Sequence, residues 1–166
     1  MACPLAWADD VAIVTNYEDE KCPSLAYNPE TYEYLLVYEN EYSASDNDIY
    51  AQRIAGDGTP VESRFVITNS DSDENSPVVS FNQATGEFIV IWQQLEGIGE
   101  FAQNDIWGRR VAVDGSLIGS TFAISTLPLN DISPVICINP EISEYLVVWN
   151  YCHSDSNRDV YAQRLD

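Results

Sequence analysis

Lysine is almost missing from this chain. Lys21 is the only one in 166 residues, and seven basic side chains in all face 27 acidic ones. The formal net charge of -20 argues against nucleic acid and membrane surfaces as partners, because phosphate backbones and anionic headgroups are held through Lys and Arg. Such a surface draws cations instead, and it suits high salt or an extracellular or cell-surface setting. Histidine is equally scarce: His153 stands alone, which excludes a multi-histidine metal site and weakens any acid–base scheme built on imidazole. No apolar run approaches the roughly 20 residues needed to insert across a bilayer. The opening Met-Ala-Cys-Pro-Leu-Ala-Trp has neither a basic start nor a long apolar segment, so an exported protein would carry its signal peptide outside this chain. Cys3, Cys22, Cys137 and Cys152 show no CxxC spacing, which excludes zinc-ribbon and thioredoxin-type readings. Partial pairing in an oxidising compartment and small buried hydrophobes both remain open for them. A Gly-rich phosphate loop and a Gly-Xaa-Ser-Xaa-Gly elbow are also absent.

What is present is repetition. Asn47-Asp48-Ile49-Tyr50-Ala51-Gln52-Arg53 returns as Asn104-Asp105-Ile106-Trp107-Gly108-Arg109-Arg110 and as Arg158-Asp159-Val160-Tyr161-Ala162-Gln163-Arg164. The spacing of roughly 55 residues belongs to stacked or radial repeats. Within each repeat the strand signals come in fours. A short strand begins near a proline and stops at Asn28, Asn82 or Asn139. A nearly all-apolar strand follows (33–39, 87–93, 144–150), then the repeated phrase, and then, after Asp57-Gly58 and Asp114-Gly115, strands at 65–69 and 122–126. A strand apolar on both sides must be covered on both faces, so the second strands are expected between neighbouring sheets.

Four-stranded meanders in tandem predict an all-β fold of β-propeller-like blades. The chain reads as a single repeat domain, 1–166, with units of about 9–54, 55–111 and 112–166. A threefold β-trefoil or β-prism is the rival architecture. Residues 11–16 align with the fourth strands, whereas the C-terminus stops after a third strand. The opening strand is therefore expected to complete the last sheet, in its own chain or in a twin that makes a six-bladed homodimer; the other reading is a piece of a longer repeat chain. The pattern of Pro-Xaa-hydrophobic-Xaa-Xaa-Asn, Glu-Tyr-Leu-Val-Val-Trp, Asp-hydrophobic-Tyr-Ala-Gln-Arg, Asp-Gly and Phe-Xaa-Ile-Ser/Thr resembles the tandem repeats of large secreted bacterial and archaeal proteins predicted to be β-propellers. The likeness covers nearly the whole chain after Ala8. It implies an extracellular adhesion, scaffold or binding module and carries no activity with it.

Candidate chemistry falls in two places. The loops between second and third strands, 39–47, 93–104 and 150–158, differ in length and composition on a repeated frame, and ligand contact is expected there. Asp46 and Asp48, and Asp155 and Asp159, offer clustered oxygens of the kind calcium prefers, without the EF-hand pattern; a solvated acidic turn is the alternative. Trp92, Trp107, Trp149 and Tyr50, near Asn, Gln and Asp side chains, suit either sugar stacking or packing between sheets. Phe101 and Trp7 fall outside the repeat and are better placed for exposed contacts. A latch by the N-terminal strand would bring Cys22 near Cys152 and predicts a disulfide between them. Asp48, Asp105 and Asp159 with Arg53, Arg110 and Arg164, once per repeat, read as framework. The expected function is an extracellular non-enzymatic module for carbohydrate or protein. The alternatives are a glycan-processing hydrolase using an acidic pair, or a purely structural repeat.

Overall fold

A computed structural model describes residues 10–43, 46–154 and 156–166. The fold is all-β, with eleven antiparallel strands in three sheets and one helical turn among these residues. The first sheet runs β1 (Glu20–Asn28), β2 (Glu33–Ser43), β3 (Asp46–Ile54) and β4 (Pro60–Thr68) in that spatial order. The second runs β5 (Glu74–Asn82), β6 (Glu87–Glu96), β7 (Gln103–Ala112) and β8 (Leu117–Ser125), and the third β9 (Asn130–Asn139), β10 (Glu144–Ser154) and β11 (Asn157–Leu165). Every connection inside a sheet is a hairpin, so each repeat folds through local pairing.

The turns explain the repeated small residues. Asn28, Asn82 and Asn139 each accept the backbone N–H two residues on, at 2.9, 3.0 and 3.1 Å, and so cap the first hairpin. In the third hairpin Asp57 accepts from the Thr59 N–H and hydroxyl, and Asp114 from those of Ser116. These bonds hold both carboxyls below the usual carboxylate range. Gly58 and Gly115 follow at φ +89 and +88, a conformation that favours glycine.

The sheets stack face to face. Leu35, Val37, Ile49, Ala51 and Ile67 of the first meet Val79, Phe81, Phe88, Val90, Trp92 and Val111 of the second. Ile89, Ile91, Ile106 and Ile124 on the far side of the second meet Tyr145, Val147 and Trp149 of the third. β6 is thus apolar on both faces because both are covered, and Phe88 through Trp92 are all buried. β10 instead alternates: Tyr145, Val147 and Trp149 are buried, while Leu146 on the outward face is 46% exposed.

Two expectations are corrected here. Residues 11–16 form no strand, and the last sheet has three strands among the described residues. Ile13 and Val14 lie instead with Pro23, Leu36 and Tyr38 of the first sheet, whose outer face offers them apolar cover. Nor do Cys22 and Cys152 pair: both are free thiols, as is Cys137. Cys22 begins the edge strand of the first sheet and Cys152 ends the central strand of the third, and without the latch nothing joins them.

Truncating Trp92, which is 0% exposed, opens a cavity in the first seam. Trp92→Ala is expected to lower stability by about 3–5 kcal/mol with an unchanged urea m-value. A loss below about 1 kcal/mol would show that the seam does not bear the load placed on it here.

Candidate ligand-binding end

One end of the stacked sheets gathers the starts of β1, β5 and β9 and the ends of β2, β6 and β10. The register pairs Glu20 with Asn40, Glu74 with Gln94 and Asn130 with Cys152. Each first strand enters through a left-handed residue just before its proline: Cys22, Ser76 and Ser133, at φ 50, 53 and 54. A side chain fixes two of these kinks from the sheet before. Glu39 accepts the Ser76 N–H at 2.6 Å, and Gln93 accepts the Ser133 N–H at 2.9 Å. Cys22-Pro23-Ser24, Ser76-Pro77-Val78 and Ser133-Pro134-Val135 together line an open depression of ≈ 360 Å³. Burial and the adjacent Glu39 carboxylate push the Cys22 thiol pKa up, so it is a poor nucleophile there.

At the same end the second strands turn into the third, and the stretches expected there as loops are largely strand: β2 runs to Ser43 and β10 to Ser154, while residues 97–102 join β6 to β7. Tyr42 closes β2 at 75% exposure, and Phe101 stands on the β6–β7 loop at 87%. Phe101 sits in a helical turn, Gly99–Phe101. Gly97, at φ +82, lets the chain fold back so closely that a Cβ there would meet the Phe101 carbonyl oxygen at 2.8 Å. Near the end of β10 Tyr151 packs edge-on against His153, whose Nε2 lies 2.9 Å from Asp159.

The other sequence candidates are framework. Trp92 is fully buried and bonds Gln94 at 3.1 Å; Trp149 is buried and donates to Asp131 at 2.8 Å. Neither offers a ring face to a sugar. Tyr50 is covered by the Arg64 guanidinium, 4.5 Å from its ring centre, and Trp107 packs on the first seam. Of the residues proposed for stacking, Phe101 alone is fully open. The third-strand arginines pair along their own sheets with acids opening the second strands: Arg53 with Glu33 at 2.8 Å, Arg110 with Glu87 at 2.7 Å and Arg164 with Glu144 at 3.2 Å.

The acids proposed as calcium ligands divide between sheets, with Asp46 and Asp48 on β3 and Asp159 on β11. Asp155, like Trp7 and Cys3, lies outside the described residues. No group of three or more acid, His or Cys side chains among the described residues could hold a metal ion. Asp73 and Asn75 serve the seam: Asn47 donates its N–H and side-chain amide to Asp73 at 2.9 and 2.8 Å, and the amide also to Asn75 at 3.1 Å. One seam on, Asn104 donates to Asn130 at 2.8 and 3.2 Å.

Beneath these bonds lie two acids that the sequence analysis did not single out, Glu74 and Asp131, both fully buried. Glu74 accepts from Ser70 and from Thr68, yet its Oε2 finds no partner among the described residues. Burial, then the nearby Asp48 and Asp46 charges, push it up to about 7, the Ser70 bonds opposing. Burial likewise raises Asp105 to about 6, helped by Asp131 and Glu96. The only sequence signal for Glu74 was its place two residues before a kink that repeats in all three units.

No family model and no curated protein matches the sequence. Solved structures do match in fold. An endo-arabinase from Bacteroides thetaiotaomicron superposes with a TM-score of 0.66 at 15% identity, over 94% of this chain and 59% of that one. An N-acetylgalactosamine deacetylase from F. plautii, in complex with blood group B trisaccharide, gives 0.63 at 8% identity, over 91% and 50%. An exo-β-1,3-galactanase from Clostridium thermocellum gives 0.63 at 15% identity, over 87% and 34%. The chain thus spans less than two thirds of each. At such identities the likeness is one of fold.

The raised Glu74 pKa sets a pH dependence. An acid whose folded pKa exceeds its ordinary 4.5 keeps its proton longer in the folded state, so its contribution is fully present below about 4.5 and is lost as pH rises through about 7. Glu74→Gln, which keeps the acceptor for Ser70, is expected to be more stable than the parent at pH 8 by on the order of 2–3 kcal/mol, the gain vanishing near pH 4. Urea midpoints at both pH values check this; an equal difference at the two would contradict it.

Proposed function

We propose that the chain is a carbohydrate-binding unit built from three propeller-type blades, holding a saccharide at the end where the first strands converge. The observation that carries this reading is that the exposed rings of Tyr42, near the end of β2, and Phe101, just past the end of β6, stand at the same end of the stack as the depression. Pyranose faces stack on such rings, and hydroxyls need the amides and carboxylates that Gln93, Glu96 and Asn150 supply on the same strand ends. Two neighbours in fold are named for acting on arabinan and galactan linkages and a third holds a trisaccharide, which makes saccharides the first ligand class to test. A hydrolytic reading requires two carboxyls open to one cavity. Glu74 and Asp131 are closed off from solvent inside the seams and do not form such a pair.

A glycan array with affinity measurement on the strongest responder tests this. Phe101→Ala and Tyr42→Ala are each expected to weaken binding by about tenfold, roughly 1.4 kcal/mol. Tyr32→Asn, at the opposite hairpin end, should leave it unchanged. Binding indifferent to both ring deletions, or release of cleaved sugar, would overturn the reading.

A further inference from the structure

The three sheets do not end alike. On each second and third strand, one set of apolar residues faces the following sheet: Leu35, Ile49 and Ala51 in the first sheet, Ile89 and Ile106 in the second, all buried. Their equivalents in the third are Leu146, Val160 and Ala162. Here Val160 is 73% exposed, with no further sheet against it among the described residues. At the opposite end of the stack, Leu25 and Tyr27 of the first sheet stand where Val79 and Phe81 of the second are buried, and they are open as well. Along that open face lie residues 11–16, in the place a preceding sheet's fourth strand would take. Ile13 occupies the position of the buried Ile67 and Ile124, and Asn16 bonds Glu20 as Ser70 bonds Glu74.

We propose that these two open ends are the halves of one contact and that a second copy of this chain fills them. Residues 11–16 of each copy lie beside β11 of the other as its missing fourth strand. The register of β3 on β4, with Ile49 opposite Thr68 and Ala51 opposite Phe65, transposes to Val160 opposite Val14 and Ala162 opposite Val11 of the other copy. The polar bonds of the two internal seams indicate the occupant. Asn47 donates to Asp73 and Asn104 to Asn130. At the open ends the corresponding donor is Arg158 and the corresponding acceptor is Asp19, which the Glu41 N–H holds at 3.0 Å as the Leu95 N–H holds Asp73. A guanidinium facing a carboxylate replaces the amide pairs of the internal seams, and both partners are exposed in the single chain. Two such head-to-tail contacts close a pair of copies into one body of six sheets with no open sheet face.

Sedimentation of the intact chain over a concentration series tests this. The expected mass is about twice 18.6 kDa. Arg158→Asp and Asp19→Arg should each raise the dimer dissociation constant by about tenfold or more, and the two together in one chain should restore it. Three results would overturn the proposal: a monomer at every concentration, an assembly of more than two copies, or a dimer indifferent to both single reversals.

Discussion

Burial of one sheet face against the next holds this molecule together. A four-stranded meander of this length has a single central strand run, such as Leu35 to Tyr38 or Phe88 to Trp92, and it cannot cover both sides of that run by itself. The neighbouring sheet does so. Between the first and second sheets the seam is filled by residues from both sides in one continuous cluster, and the second seam repeats it with Ile89 and Ile91 against Tyr145 and Val147. Each repeat therefore depends on its neighbour for its core, which is the energetic character of stacked-repeat proteins.

Direction along the stack is set by polar bonds that do not commute. Glu39 reaches forward to the Ser76 N–H and Gln93 to the Ser133 N–H, while Asn47 and Asn104 reach forward to the loop before the next sheet. Such bonds accompany two of the three left-handed kinks at the strand entries, those at Ser76 and Ser133. They also trap carboxyls: Glu74 is sealed beneath the first stitch, its Oε2 without a partner among the described residues. A buried acid costs stability at neutral pH, and here it accompanies the rigid placement of the strand starts that line the depression.

Much of this was legible in the residues. The repeated Asn and Asp-Gly turns, the four strands of the first two units and the two-sided cover of β6 follow from local chemistry and from the absence of polar residues between Phe88 and Trp92. Within one chain residues 11–16 do not complete the last sheet, for a reason no local pattern contains. Val11 to Asn16 carries the fourth-strand spacing, but pairing with β11 requires that the ends of the stack meet, and three sheets leave β11 away from the first face. Trp92 and Trp149 were ambiguous because a ring at a repeated position serves packing and stacking equally well in sequence. Phe101 was distinguishable because it broke the repeat. Tyr42 was overlooked because it closes an otherwise regular strand.

The end where the second strands turn into the third divides into connections that depart from the repeat and strand ends that Glu39, Gln93, Asn47 and Asn104 fix to the next sheet. That division rests on the second strands being the most tightly held parts of the chain. Hydrogen exchange resolved to individual amides measures this directly. Amides of β6, bonded to β5 and β7 and covered on both faces, should exchange slowest, well behind those of the outer strands β4 and β8. Exchange of β6 as fast as β4 and β8 would contradict an account in which the sheets are held by one another.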